Sequence, residues 1–399
     1  MLSERTIQIV KSTAPVLQTY GKDITARFYE TLFRDHPALL NIFNQTNQKA
    51  GRQPTALANT VYAAALHIDQ LETLLPVVKQ IGHKHRSIGV KAEHYPIVGE
   101  YLLRAIKDVL KDDATEDILQ AWEEAYGVIA SIFIQVEQDM YEEAQNQTGG
   151  WEGYRDFYVD KVVRETPEVT SFYVKPSDHQ PLATFLPGQY VSVKLSVPHE
   201  TYTHIRQYSL SDAPGKDYYR ITVKRETGIE EGIVSTYLHD QVKEGDILPL
   251  SAPAGDFVYE ANPEKPVVFI SSGIGITPVV SMLKHLVHEH PSQKLTHIHA
   301  VRNSEHYALK REMNDLGQSV RLYVAYSQPT VSDYEQNDFQ LEGRMNEDVL
   351  NQWIEDKDAT YYVCGSESFM KSILSSLKAL GVKEESVHYE FFGPKMSTV

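Results

Sequence analysis

The sequence holds a single cysteine, Cys364, in 399 residues. One thiol excludes an internal disulfide, a cysteine-rich zinc site and a four-cysteine iron–sulfur cluster. Any redox centre is therefore organic or held by histidine, and a reducing, cytoplasmic compartment is expected. Long apolar runs are also missing. No stretch reaches the roughly 18 apolar residues of a membrane span, and the start, MLSERTIQIVKST, lacks the basic-then-apolar pattern of a secretory leader. Positive charge is scarce, with 38 Lys and Arg against 54 Asp and Glu and a net charge of -16. Such a balance opposes a phosphate backbone, so nucleic acid is not an expected partner.

The apolar share, 42%, suffices for ordinary packed cores. The length exceeds what one core supports, so two or three domains are expected. Residues 1–147 read as helices. Ser3 caps a helix striped by Ile7, Val10, Ala14 and Leu17, which Pro15 kinks or ends. ITARFYETLF spreads Ile24, Phe28, Tyr29, Leu32 and Phe33 over one face, and Pro54 begins a helix striped by Leu57, Val61, Ala64 and Ile68. Pro96 begins another, with an inward face of Tyr95, Val98, Leu102, Ala105 and Val109.

Two positions in this region break the pattern. In LLPVVKQIGHKHRSIGV, residues 74–90, the apolar stripe runs Leu71, Leu74, Val78, Ile81 and then His85 before resuming at Ile88. By default a histidine there is a hydrogen-bonded core residue; the sharper reading is a ligand. His83 falls off the stripe and is expected in solvent. In the last helix the stripe Trp122, Tyr126, Ile129, Phe133 meets Glu137 before Met140. Glu137 is either a helix face turning to solvent or a buried carboxylate with a partner.

After the polar NQTGG link the period shortens. YRDFYVDKVV, VTSFYVK, GQYVSVKLSV, RQYSLS and YYRITVKRE are short strands at turn-punctuated intervals, the pattern of a small antiparallel barrel over residues 148–262. From 263 to 399, KPVVFISSGIGITPVVSMLKHLVHEH reads strand, glycine turn, helix, and further buried strands alternate with helices, as in a parallel-sheet α/β domain. The fold expected is thus all-α, then antiparallel β-barrel, then α/β.

GIGITP, residues 273–278, stands where small residues let backbone amides approach a pyrophosphate. It departs from G-x-G-x-x-G by placing Pro278 at the third glycine. Arg302 ends the next strand and pairs with a 2'-phosphate in one reading and with solvent in the other. RQYS, residues 206–209, offers a cationic fork, a ring surface and a hydroxyl on one strand. The order R-x-Y-S, GIVSTYLH, glycine turn, Cys364-Gly365 and terminal EFFG resembles the ferredoxin-reductase-like flavoproteins over residues 152–399.

That resemblance implies FAD on the barrel and NADH or NADPH on the last domain. Arg206 would meet the FAD pyrophosphate, Tyr208 would lie along the flavin and Ser209 would bond near its reactive nitrogen, with Gln207 between them. Tyr190 would hold the adenine-side or ribityl portion, and Gly232 to Ser235 would present a helix N-terminus to the phosphates. Gly273, Ile274, Gly275, Ile276, Thr277 and Pro278 would line the nicotinamide nucleotide. Cys364 and Gly365 would sit near its ring, and Glu390, Phe391, Phe392, Gly393 and Pro394 would close over the flavin.

Such a flavin needs an acceptor, and the helical region, similar to a globin, is the candidate. With GGWEGYRDF at the junction, the whole chain resembles the flavohaemoglobins. Membership implies one haem b with His85 as proximal iron ligand, relayed to Tyr95 and Glu137. Tyr29 and Gln53 would hydrogen-bond dioxygen, Phe43 would lie against the haem, Leu57 would limit access, and Lys84 and Glu390 would tune electron passage. The implied reaction is nitric oxide dioxygenation, in which NAD(P)H reduces FAD, FAD reduces haem, and oxygenated ferrous haem converts nitric oxide to nitrate. A sensor or carrier globin with a self-reducing flavin module is the alternative. No obligatory protein partner is implied.

Overall fold

The computed structural model describes residues 2–43, 52–227 and 232–392. They form two compact units, one of residues up to 153 together with 194–206, the other of residues 154–193 and 207–392. Among the described residues no helix is long and apolar enough to cross a membrane.

In the first unit, α1 (Glu4–Ser12) is capped by the Ser3 hydroxyl, which accepts from the Thr6 amide, and α2 (Ala14–Asp35) starts anew with Pro15 in its first turn. Proline is harmless there because first-turn amides have no intrahelical acceptor. The same tolerance explains why α5 (His94–Leu110) opens two residues ahead of the expected Pro96; in α3 (Arg52–Leu66) Pro54 falls in the first described turn. The stretch 74–90 is shorter as a helix than its periodicity predicts. A tight turn at Leu71–Leu74 precedes α4 (Leu75–Ile88), and Gly89, left-handed at φ 84°, ends it. Only glycine takes that conformation without strain. Finally α6 (Glu116–Asn146) runs 31 residues from a Thr115 cap.

The apolar faces of these helices form one core that includes Phe28, Tyr29, Leu32, Leu102, Ala105, Trp122 and Ala125. Two close approaches set its geometry. Gly82 of α4 lies where a Cβ would sit 3.2 Å from the Met140 sulfur and 3.6 Å from Glu137 Cγ, so α4 and α6 cross at the turn carrying Glu137. On α2, the Thr25 hydroxyl donates to the Pro54 carbonyl at 2.8 Å, which ties the turn before Tyr29 to the start of α3. Residues 194–206 belong here as well. The Thr203 amide donates to Asn41 Oδ1 at 2.9 Å and its hydroxyl to the Asn41 carbonyl at 3.1 Å.

The rest of the chain carries two six-stranded sheets, the first of which takes in residues 194–195 and 204–206. The antiparallel one has strands β1 (Tyr154–Thr166), β2 (Val169–Pro176), β3 (Tyr190–Leu195), β4 (His204–Ser209), β5 (Tyr219–Lys224) and β6 (Ile247–Ser251) in the order β4-β3-β6-β1-β2-β5. A bridge between Leu210 and Ile221 joins its two ends and closes the barrel. One helix, α7 (Ile233–Asp240), follows β5.

The parallel sheet orders β7 (Val267–Ser272), β8 (Leu295–Val301), β9 (Val320–Tyr326), β10 (Leu341–Glu342), β11 (Thr360–Gly365) and β12 (Val387–Phe391) as β10-β9-β8-β7-β11-β12. Helices α8 (Ile276–Glu289), α9 (Lys310–Leu316), α10 (Val331–Gln336), α11 (Glu347–Trp353) and α12 (Glu367–Ala379) intervene. With the strand order reversing at β7, the C-terminal ends of β7 and β11 frame the crevice where such sheets take nucleotides.

Candidate functional site

His85 lies in the last turn of α4, Tyr95 in the first turn of α5 and Glu137 in the middle of α6. The three side chains meet. His85 Nδ1 is 2.7 Å from Glu137 Oε1 and 3.3 Å from the Tyr95 oxygen, while the Tyr95 hydroxyl donates to the same Glu137 Oε1 at 2.6 Å. Glu137 is 3% exposed, so it is the buried, partnered carboxylate and not a solvated helix face. Burial first, and then the Glu137 charge, push the Tyr95 hydroxyl up, so it stays protonated and donates. A carboxylate beside Nδ1 keeps the proton on that nitrogen and leaves the Nε2 lone pair for a metal. The donor set therefore suits a haem iron.

Tyr126, which the sequence shows only as core, and Gly99, which it does not single out, hold this trio. The Tyr126 hydroxyl donates to the Tyr95 carbonyl at 2.6 Å, and Gly99 leaves room for the Tyr126 ring, since a Cβ there would come within 2.5 Å of it. Nothing in the stripe Trp122, Tyr126, Ile129 separates an anchoring hydroxyl from a packed ring. His83 departs from its expected solvation: it is half-buried. Arg86 and Ser87, which flank the ligand position, are buried too.

Tyr29 is buried in an aromatic cluster, stacked on Phe33 at 5.6 Å and edge-on to Phe43 at 5.8 Å. Burial pushes its hydroxyl up, which keeps the proton in place. Gln53 and Leu57 lie one turn apart on α3; Leu57 packs against the core, and Gln53 Oε1 is buried with no hydrogen-bond partner among the described residues. A buried acceptor without a partner is costly, and a polar ligand relieves that cost. Lys84 is half-buried, and burial first, then the like charge of Arg206, hold its ammonium below the ordinary value.

In the second unit, Tyr208 and Ser209 end β4, with Ser209 buried and Tyr208 half-buried. Gln207 turns inward and donates to Ser192 Oγ at 3.0 Å. Arg206, one residue earlier, donates to the Ile205 carbonyl at 2.9 Å. Tyr190 and Ala254 exchange backbone hydrogen bonds of 2.8 Å, and the Tyr190 ring lies over Gly255, where a Cβ would fall within 2.9 Å of it. The first turn of α7 has no side-chain cap at Gly232. Ser235 Oγ instead fixes the turn, accepting from the Glu226 amide and donating to the Gly232 carbonyl, both at 3.1 Å.

The glycine turn forms as the sequence predicts. β7 ends at Ser272, Gly273 is left-handed at φ 51°, and α8 starts at Ile276 without a side-chain cap; Ile276, Thr277 and Pro278 are buried in its first turn, and Ile274 is half-buried. A Cβ at Gly275 would collide with the Cys364 carbonyl and lie 2.9 Å from Gly365 Cα. The turn and the end of β11 therefore touch backbone to backbone, forming a cradle that only glycine permits. The Cys364 thiol is fully buried in the core, and burial pushes it well up, so it is the main chain here that faces the turn. Glu390 and Phe391 end β12 beside Cys364 and Gly365, and Phe392 is 47% exposed. Gly393 and Pro394 lie outside the described residues.

Residues 26–133 match the globin family, 157–259 the oxidoreductase FAD-binding domain and 269–374 the oxidoreductase NAD-binding domain. The chain is 55% identical over 399 residues to a flavohemoprotein of Bacillus subtilis (strain 168), covering 100% of this chain and 99% of that one. It superposes on the flavohemoglobin of Malassezia yamatoensis with bound FAD and heme at a TM-score of 0.87 and 26% identity, over 98% and 100% of the two chains. The flavohem-like FAD/NAD binding domain of nitric oxide dioxygenase from Vibrio cholerae is 37% identical over 60% of this chain and 99% of that one, with a TM-score of 0.55. The chain belongs to the flavohemoprotein family, a globin joined to FAD- and NAD-binding oxidoreductase domains, with haem, FAD and a nicotinamide nucleotide as its cofactors.

Proposed function

We propose that this oxidoreductase is a nitric oxide dioxygenase, which combines nitric oxide with dioxygen to give nitrate at the expense of NAD(P)H. The observation that carries the reading is the His85–Glu137–Tyr95 trio. When bound, the three cofactors supply hydride acceptance, one-electron transfer and oxygen activation. His85 would hold the iron through Nε2. The Glu137 carboxylate, accepting from both His85 Nδ1 and the Tyr95 hydroxyl, makes the imidazole a stronger electron donor than a carbonyl partner would. That favours oxygen chemistry over reversible carriage.

Tyr29 would donate its retained proton in a hydrogen bond to the oxygen substrate, and Gln53 would stand beside it on α3; Phe43 and Leu57 would exclude water around them. Arg206, Tyr208, Ser209, Tyr190 and the Gly232–Ser235 turn would bind FAD, with Gln207 bracing their strand. The turn from Gly273 to Pro278, with Cys364 and Gly365, would bind the nicotinamide nucleotide, and Glu390, Phe391 and Phe392 would cover the flavin. Lys84 and Glu390 would adjust electron passage. Domain boundaries at 1–147, 148–262 and 263–399 are part of this reading, supported by α6 ending at Asn146, β1 opening at Tyr154 and β7 opening at Val267. A cytoplasmic setting is supported by the lone, buried Cys364 thiol.

Nitric oxide added to aerated holoprotein with NADH or NADPH tests the reading. Stoichiometric nitrate with matching nucleotide oxidation is expected. Nucleotide oxidation without nitrate would leave a flavin-reduced carrier or sensor.

A further inference from the structure

Four buried or half-buried charges form a ring within the second unit, three of its sides ion pairs and the fourth the charge coupling of Arg220 with Asp212. Arg220 of β5, 1% exposed, makes a two-pronged ion pair with Glu312 of α9. Glu312 Oε2 also accepts from Lys284 Nζ of α8 at 2.8 Å. Lys284 Nζ in turn lies 2.5 Å from Asp212 Oδ1. The ring is tied back to the barrel, because Arg220 donates to Ser211 as well as to the Tyr173 hydroxyl, and Asp212 Oδ2 accepts from Tyr218 at 2.9 Å. Burial alone would push the Asp212 and Glu312 carboxyls up. The facing cations overturn this and hold both below their ordinary values, so both carboxylates stay charged.

The positions of these residues matter more than their number. Asp212 lies three residues beyond Ser209, at the end of the strand that carries Tyr208 and Ser209. Lys284 lies two turns into α8, the helix that the Gly273–Pro278 turn opens. A second bond ties the same two elements, from Ser281 Oγ of α8 to the Asp212 carbonyl at 2.8 Å. A cavity of about 510 Å³ with a mixed lining, Glu165 of β1 and Ser304 and Arg311 alongside Tyr307 and Leu309, opens between β1 and the start of α9. Val169 of the barrel shares one apolar core with Tyr307, Leu309 and Met313 of the α/β half, and the ring adds directional bonds to it.

We propose that the Asp212–Lys284–Glu312–Arg220 ring is the alignment element for hydride transfer, holding the flavin-bearing strand and the nicotinamide-bearing helix in register. In that step the dihydronicotinamide C4–H bond breaks with both its electrons and the hydrogen becomes bonded to flavin N5. The nicotinamide is left as its oxidised cation and the flavin as its two-electron-reduced anion. Lys284 and Glu312 touch neither ring; they are positioning residues. The proposal rests on the flavin and nicotinamide sites assigned above and is independent of the terminal acceptor.

The test uses oxidised holoprotein, Lys284→Met and Glu312→Gln, mixed anaerobically with excess NADH or NADPH while flavin bleaching is followed. Two variants are used so that failure of one to load FAD does not end the experiment. A misplacement on the order of 1 Å costs about 100-fold in rate, so a loss of about 10- to 100-fold at saturating nucleotide is expected, with the half-saturating concentration little moved. Oxidised nicotinamide titrated into the chemically reduced protein reports alignment without turnover. The long-wavelength charge-transfer band of stacked nicotinamide and flavin should weaken in both variants at full FAD content. Wild-type bleaching rates and an undiminished band in either FAD-loaded variant would overturn the proposal. A wild-type protein whose flavin is not reduced by either nucleotide would instead overturn the site assignment beneath it.

Discussion

At the scale of single residues, Glu137 decides how the helical unit is read. A carboxylate 3% exposed and bonded to both His85 and Tyr95 has lost its water and regained two donors. Glu137→Gln keeps the shape and removes the charge. The variant is expected to retain haem while its nitric oxide turnover falls about 10- to 100-fold, the usual cost of losing a ligand's hydrogen-bonded partner. The iron–histidine stretch in resonance Raman should drop with it; turnover and stretch both at wild-type values would restore a purely structural role. Glu137 was visible in the sequence because a charge interrupts a stripe of Trp122, Tyr126, Ile129 and Phe133. Tyr126 was not, since a phenol that anchors Tyr95 through its hydroxyl occupies the same stripe as one that only packs.

Among the elements, legibility followed the local physics. Gly89 stops α4 and Gly273 turns β7 into α8 because each needs a left-handed backbone, a requirement written in one residue. Pro96 was a less exact guide: α5 begins two residues early because the whole first turn tolerates a missing amide. The bridge from Leu210 to Ile221 that closes the barrel, and the ring of Asp212, Arg220, Lys284 and Glu312, could not be read in advance. Both join positions that no local period relates. The contact of the Gly275 turn with Cys364 and Gly365 is an element-scale constraint with a direct test. In Gly275→Ala the added methyl meets the Cys364 carbonyl, and overpacking of this kind costs about 1 to 3 kcal/mol. A lower thermal midpoint is expected together with a raised KM for NADH or NADPH; an alanine variant with unchanged KM would remove this turn from nucleotide binding.

For the whole molecule, the sequence order all-α, antiparallel barrel, α/β is the order observed, because each switch of hydrophobic period coincides with a change of layer. The grouping of parts was hidden. Barrel and α/β half share a core, with Val169 and Phe257 packed among Phe269, Met282 and Tyr362. A fragment spanning 148–399 is therefore expected to fold, retain FAD and reduce ferricyanide from NADH or NADPH without any haem absorbance. Failure of that fragment to hold flavin would argue against the boundary near residue 148. The excursion 194–206, which leaves the second unit and returns to it, carries one more consequence. Among the described residues the chain passes between the units at 153/154, 193/194 and 206/207. A protease nick in the NQTGG link, which lies within the first unit, leaves residues 194–206 on the second fragment and so divides the first unit between the two pieces. The nicked halves should co-elute under native conditions and part only when denatured, and in the 148–399 fragment the loop around Thr203, deprived of Asn41, should become the first place that protease cuts.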